Sequence, residues 1–243
     1  MASQARRLAN IRLVTFDIYN TLYMPAEPVA RTYARPLWRH GLNIDEHNVA
    51  AAFSCAYKQT RSQLPNYGCK MSMTSRQWWE LVIRRTWIDV GVNLSNHPEL
   101  KPEIPRLIDY FATGAGYAIF PDVPRVLKHL RRKGIKIGVI SNMDESAEHV
   151  LKHFGIREYF DFVIKSISVG VEKPAAEIFE MALIAVNIPA YDSLHIGDSY
   201  ELDYLPATKV GMKALLVRRD TKESFDLEST NSINSIGDII KMI

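Results

Sequence analysis

The feature that most constrains this chain is a rhythm of short β-rich runs and helical stretches, interrupted once by a long all-helical block. Strand-like runs fall at Leu13–Phe16, Lys136–Ile140, Phe162–Ile164, Leu194–Ile196 and Ala214–Val217. Helical periodicity fills the gaps: Val123–Arg132, with Val126, Leu127 and Leu130 on one face, then Ala147–Phe154, then Glu177–Val186. Short β runs alternating with helices of this length require parallel strands joined by right-handed crossovers. The expected fold class is α/β, a doubly wound, mostly parallel sheet.

Between Tyr23 and Phe120 the rhythm breaks and no clear β run occurs. Apolar residues recur there at helical spacing: Val29, Tyr33 and Leu37; Val49, Phe53 and Ala56; Trp78, Val82 and Ile83; Ile104, Leu107 and Phe111. Breaks fall at Gly41, Pro65–Gly68, Gly91 and Gly114–Gly116. The spacing predicts about four helices, a bundle spliced in after the first strand. The expected organisation is therefore a core of residues 1–23 and 119–243, with a helical cap over 24–118. The stretch Lys222–Asn234 reads as a polar loop, and Ser235–Met242 as a final short helix.

Of 243 residues, 47% are hydrophobic, enough for a sizeable core. Thirty basic residues against 27 acidic ones give a net charge of +3, near balance. That provides no electrostatic argument for nucleic acid or an anionic membrane as partner. No apolar run approaches the roughly 20 residues of a membrane span. The start, with Arg6 and Arg7, lacks the apolar core of a secretory signal and reads as a short basic end. Cys55 and Cys69 form no CxxC pair and no zinc-spaced cluster, so both are expected to be reduced structural thiols. The expected location is the cytoplasm, with mitochondrion and nucleus as alternatives.

Four polar signals sit at strand ends, where ligands bind in such sheets. Asp17 follows the first run, in Phe16-Asp17-Ile18-Tyr19-Asn20-Thr21. Ser141-Asn142 follows the second, and a hydroxyl and an amide there suit an anion's oxygens. Lys173, in Glu172-Lys173-Pro174, would set a positive charge over the site. Asp198 and Asp203 share the loop after Leu194–Ile196. Two carboxylates at the end of a buried strand are costly unless a hard divalent cation uses their oxygens. Singly, each of these is an ordinary turn or helix-start residue.

Together, Asp17, Ser141, Lys173 and the pair Asp198/Asp203, in that order after successive strands, resemble the haloacid dehalogenase superfamily, which holds phosphatases as well as dehalogenases. The resemblance spans nearly the whole chain, and the helical insertion matches that superfamily's cap. A closer likeness to one animal subfamily is carried by Leu64–Gly68, Thr74–Trp79, Ser141–Asp144, Tyr159–Phe162 and Gly197–Tyr204.

The resemblance implies a magnesium-dependent hydrolase of a small-molecule phosphate ester working through an aspartyl intermediate on Asp17. Magnesium would be held by Asp17, the backbone carbonyl of Tyr19 and Asp198, with Asp203 in the outer shell. Thr21 and Ser141 would hydrogen-bond phosphoryl oxygens, and Lys173 would offset negative charge. One position departs from the phosphatase pattern. Tyr19 stands where a second Asp usually acts as acid and base, and a phenol with a reference pKa near 10 is a poor base at neutral pH. Two alternatives follow. One is a 2-haloacid dehalogenase, since halide leaves without a proton, with Arg31, Arg35 or Arg39 on the substrate. The other is a catalytically impaired binding protein that presents Trp78-Trp79 and the Asn66–Gly68 loop.

Overall fold

The computed structural model describes Leu8, residues 10–219 and residues 231–243. The basic start with Arg6 and Arg7 lies outside the described residues, as does most of the polar stretch 222–234. Six strands form one sheet: β1 (Leu13–Phe16), β4 (Lys136–Ser141), β5 (Phe162–Lys165), β6 (Ser193–Gly197), β7 (Lys213–Val217) and β8 (Ser232–Ile233). Their order is β5-β4-β1-β6-β7-β8, and every pair is parallel. Helices α5 (Val123–Arg132) and α7 (Ala176–Val186) both pack against β4. Strands covered in this way read as continuous apolar runs because both faces are buried. Leu13, Val14, Phe16, Ile137, Val139, Leu194 and Ile196 are all fully buried.

The sheet order explains where the site forms. From β1 the chain returns through β4 and then β5 on one side, and then crosses to β6 on the other. Strand order thus reverses beside β1, and a crevice opens at the carboxyl ends there. Phe16 is in register with Val139 of β4 and Ile196 of β6. Asp17, Ser141 and Asp198 therefore emerge at one edge of the sheet.

The chain divides into two compact units. The first comprises residues up to Met24, Ala118–Met143 and Phe154–Ile243, and the second Pro25–Tyr117 with Asp144–His153. The chain passes between them through β2 (Tyr23–Pro25) and β3 (Tyr117–Ile119), which pair as a two-stranded sheet. Three-residue strands are too short to show a period, which is why the sequence pattern passes over them.

The second unit holds four long helices, α1 (Val29–Arg39), α2 (Glu46–Gln63), α3 (Ser75–Asp89) and α4 (Glu103–Ala112). Asp45 caps α2 by accepting from the His47 and Asn48 amides, and Thr74 and Gln77 form a capping box on α3. The core gathers Tyr33, Leu37, Val49, Ile83, Trp87, Leu100 and Ile104. The fully buried Trp87 indole donates to the Tyr33 carbonyl at 3.1 Å, so its ring N–H is satisfied.

A further helix, α6 (Ser146–His153), follows β4 in sequence but packs with α4. Its start is fixed within the same unit. Asp144 accepts from the Ser146 amide at 2.9 Å and from the Trp79 indole at 2.7 Å. The sequence pattern, which assigns all of 119–243 to the core, has no means of showing this.

The same unit settles the environment of the aromatic pair. Trp78 is 1% exposed, and Tyr67 and Asn66 are also buried. Tyr57, Tyr67, Trp78 and Trp79 stack as one cluster with ring centroids 4.9–6.2 Å apart. Burial of Trp78, Tyr67 and Asn66 removes the basis for reading this segment as an exposed recognition surface. Asn66, Tyr67 and Gly68 run through three consecutive left-handed conformations with φ of 47°, 59° and 69°, so this turn is held by packing rather than by local preference. Among the described residues, no helix is long and apolar enough to cross a membrane.

Candidate active site

Asp17 leaves β1 and is 6% exposed. Its Oδ1 accepts two hydrogen bonds, one from Ser141 Oγ at 2.9 Å and one from Lys173 Nζ at 2.5 Å. Ser141 belongs to β4 itself, so its hydroxyl is aimed by the strand rather than by a turn. The Lys173 ammonium also donates to Asp203 Oδ1 at 2.5 Å. Removing an ammonium and two carboxylates from water is costly, and the arrangement holds because each charge touches its opposite. Burial alone would lower Lys173, but Asp17 and Asp203 outweigh it and hold the ammonium above its usual range.

Lys173 is positioned from below by Asn142. The Asn142 amide nitrogen donates to the Lys173 carbonyl at 2.9 Å, and the Lys173 amide donates to Asn142 Oδ1 at 2.7 Å. The amide that the sequence offered for an anion's oxygens is thus engaged with the Lys173 backbone. The Lys173-Pro174 peptide is cis.

Asp203 comes inward on a single π-helical turn, Tyr200–Tyr204, in which the Tyr204 amide reaches back five residues to the Ser199 carbonyl. Wide turns of this kind re-aim side chains, often at functional sites. Asp203 is fully engaged: Oδ1 meets Lys173 and His195 Nε2, and Oδ2 accepts from the Ser199 amide at 3.1 Å. Burial pushes its carboxyl up, but Lys173 and His195 prevail and hold it well below the usual range. Beneath it lies Gly197, where a Cβ would stand 2.2 Å from Asp203 Cγ. No residue but glycine fits there without displacing the carboxylate.

Asp198 is half-buried at the end of β6. Burial, then repulsion from Asp17 and Asp203, pushes its carboxyl up to about 7, against a hydrogen bond from Asn20 and the pull of Lys173. Asp17 is raised by the same two causes, burial first and Asp203 after it, despite Lys173 and Ser141. Both shifts report one imbalance. Among the described residues, oxygens of Asp17, Asp198 and Asp203 lie within 4.8 Å of one another, and the Lys173 ammonium pairs with Asp17 and Asp203. With all three carboxylates ionised, the ammonium leaves two negative charges, which one divalent cation would neutralise. The donors are hard oxygens of the kind such ions take. Asp17 and Asp198 suit direct ligation. Asp203, with both oxygens engaged, suits an outer position.

Thr21 and Tyr19 complete the loop. Thr21 is fully buried, and its Oγ1 has no hydrogen-bond partner. A buried hydroxyl left so costs about 1–3 kcal/mol, and an anionic ligand's oxygen would relieve it. The Thr21 carbonyl is held by Arg219, whose Nε and Nη2 donate at 3.2 and 2.9 Å while the guanidinium stacks 3.7 Å from the Phe120 ring centre. Tyr19 is 39% exposed.

Three members of this site escaped the sequence reading: His195, Asn20 and Arg219. His195 had a signal, since a histidine in the middle of an apolar strand run must be satisfied by something. Asn20 and Arg219 carried none beyond their positions. Two of the three arginines considered for a haloacid's carboxylate have partners within the helical unit: Arg31 pairs with Glu46 and Arg35 with Glu27.

A family model for haloacid dehalogenase-like hydrolases matches residues 11–211. Haloacid dehalogenase-like hydrolase domain-containing protein 3 of Mus musculus is 36% identical over 213 residues, 88% of this chain and 84% of that protein. Rhythmically expressed gene 2 protein of Drosophila melanogaster is 28% identical over 98% of this chain and 97% of its own. These represent the animal subfamily that the Leu64–Gly68 and Thr74–Trp79 segments resemble. Among solved structures, a HAD phosphatase from Thermococcus onnurineus aligns with a TM-score of 0.64 at 20% identity, over 96% of this chain and 97% of that one. A 2-haloacid dehalogenase from Pseudomonas syringae aligns equally well, at 0.64 and 22% identity over the same shares. The fold is thus shared by both chemistries and does not choose between them. With the family model covering most of the chain and the four motifs meeting at one sheet edge, the protein belongs to the haloacid dehalogenase-like hydrolases.

Proposed function

We propose that this chain is a magnesium-dependent hydrolase of phosphate esters in which Asp17 is the nucleophile and Lys173, Ser141 and Thr21 bind and balance charge. The observation that carries this reading is the charge imbalance: the Asp17, Asp198 and Asp203 carboxylates around the single Lys173 ammonium. When bound, magnesium would supply charge neutralisation to the carboxylates and the phosphoryl group. Hydrogen bonds to Asp17 fall on Oδ1, so the attacking oxygen is Oδ2. The new bond joins Oδ2 to phosphorus as the bond from phosphorus to the ester oxygen breaks, giving an aspartyl phosphate. Water then attacks that phosphorus, the Asp17 carboxylate leaves, and inorganic phosphate departs. Thr21 Oγ1 donates to a phosphoryl oxygen, and Ser141 transfers its donor from Asp17 to the same group.

Tyr19 sets the limit of the activity. With a phenol where a carboxylate would protonate the leaving oxygen, the leaving group must depart with little help. General acid–base assistance contributes roughly 10²–10⁴ in rate, so esters of acidic alcohols and phenols are the expected substrates. The helical block 24–118 acts as the cap that selects among them. The two cysteines are free, which supports a reducing compartment and, with it, a cytoplasmic location.

The test is hydrolysis of p-nitrophenyl phosphate by the wild type, Asp17→Asn and Tyr19→Asp, each with and without magnesium. Expected are magnesium-dependent turnover, its loss in Asp17→Asn, and a gain in Tyr19→Asp. Turnover that survives Asp17→Asn, or none from the wild type with magnesium, overturns the proposal. Halide release from a 2-haloacid without metal would favour the dehalogenase instead.

A further inference from the structure

His195 is a fully buried imidazole that the reaction above does not use. It stands on β6 directly opposite Thr15 of β1. Both ring nitrogens have partners: Nδ1 lies 2.8 Å from Thr15 Oγ1, and Nε2 lies 3.1 Å from Asp203 Oδ1. The Phe179 ring meets it edge-on at 5.1 Å.

These partners decide which nitrogen carries the proton. A carboxylate oxygen only accepts, so Nε2 must donate. A hydroxyl does either, so Thr15 donates to Nδ1 of a neutral ring. The other acceptor for that hydroxyl, the Leu194 carbonyl, is farther away at 3.4 Å.

The strand therefore builds a floor for one carboxylate. Gly197 leaves the space that Asp203 occupies, and His195, two residues earlier on the same strand face, donates to its Oδ1. With the Ser199 amide on Oδ2, Asp203 is fixed at both ends. The fixed Oδ1 is also the one that holds Lys173 Nζ at 2.5 Å, and the same Nζ lies 2.5 Å from Asp17. We infer that His195 is a positioning residue: as a neutral Nε2–H donor it fixes Asp203 and, through it, seats the Lys173 ammonium against Asp17. No proton moves along this chain of bonds. Its catalytic value rests on Asp17 being the nucleophile; its geometry does not.

Two substitutions separate positioning from packing. In His195→Gln an amide N–H replaces the Nε2 donor, whereas in His195→Leu the space is filled without one. Full-length protein labelled with ¹⁵N in histidine and lysine is compared by NMR, with no metal or substrate added. The His195 ring is expected as the Nε2–H tautomer. A sheltered Lys173 ammonium signal, identified by its absence in Lys173→Met, is expected in the wild type. It should persist in His195→Gln and be shifted or lost to solvent exchange in His195→Leu. An Nδ1–H tautomer overturns the inference, and so does an unchanged Lys173 signal in a folded His195→Leu. If His195→Leu does not fold, the wild-type tautomer and the Gln variant decide: loss of the Lys173 signal in His195→Gln overturns it. None of these readouts involves turnover, so failure to hydrolyse a phosphate ester counts against the nucleophile proposal alone.

Discussion

Replacing Lys173 with methionine tests the electrostatic balance of the site directly. The side chain is 2% exposed, and its ammonium stands 2.5 Å from one oxygen each of Asp17 and Asp203. Methionine has a similar unbranched reach, so the change removes charge and donors with little loss of volume. Two buried carboxylates then face each other and Asp198 with no counter-charge. Removing one partner of a buried pair costs about 3–5 kcal/mol. A single pair at 4 Å and an effective dielectric near 20 gives about 4 kcal/mol, which is consistent. At a urea slope of about 2–3 kcal/mol per molar, the midpoint should fall by roughly 1–2.5 M.

The assay can locate that loss within the chain. All four tryptophans, Trp38, Trp78, Trp79 and Trp87, lie in the inserted unit, so their fluorescence reports on it, whereas far-UV circular dichroism also follows the sheet unit. The loss is expected in the dichroism transition. Its pH dependence follows from the sign of the shift. In the wild type Asp203 is held below its usual range, against burial, by Lys173 and His195. That stability is present above the unfolded pKa near 3.9 and is lost as pH falls through the folded value. Asp17 and Asp198 are already raised in the wild type, and without Lys173 all three carboxylates rise further, so the variant's larger penalty shrinks as pH falls toward about 4. The gap between the two proteins should therefore narrow from pH 7 toward pH 4. An unchanged midpoint, or a gap of constant size across that range, would refute the electrostatic argument.

Gly197→Ala forces a Cβ to within 2.2 Å of Asp203 Cγ, so it should cost about 1–3 kcal/mol of overpacking and displace the Lys173 ammonium signal in the same NMR experiment. Asp161 accepts from the Ile137 amide, Arg131 and Lys136, each at 2.9 Å, and these outweigh burial to hold its carboxyl below the usual range. Asp161→Asn should lower stability by about 0.5–1 kcal/mol at neutral pH, since its ion-pair partners are solvent-screened, with the difference vanishing as pH drops through the folded pKa; urea midpoints across pH would show it. Trp78→Ala removes an indole that is 1% exposed and donates to the Leu64 carbonyl at 2.9 Å. A loss of about 3–5 kcal/mol, read from the remaining tryptophan fluorescence, is expected.

The parallel strands were legible because they are buried on both faces and so appear as unbroken apolar runs: β1 was read at its observed bounds, and β4–β7 to within a residue at each end. The inserted helices were legible because a one-sided apolar stripe repeats at helical spacing over three or more turns. By contrast β2, β3 and β8 span two or three residues each, less than any period needs. The bond from Trp79 to Asp144 was not legible, since it joins residues 65 positions apart.

The candidate site divides along the same line. Asp17, Ser141 and Asp198 each end or directly follow a strand, and a parallel sheet gathers its carboxyl ends; Lys173 lies beyond a short helix, Ser166–Val169, and was grouped with them by the order of the motifs. That Asn142 grips the Lys173 backbone, that His195 stands under Asp203, and that Arg219 holds the Thr21 carbonyl depend on residues 31, 8 and 198 positions apart meeting in space. Local sequence placed Asp17, Ser141 and Asp198 at the ends of apolar runs, and the order of the motifs joined Lys173 to them. Only the tertiary structure decided how the charges are shared: three carboxylates around one ammonium, with one carboxylate fixed by a histidine. Coulombic and hydrogen-bond energies depend on distances between chain segments, and no sequence spacing encodes those.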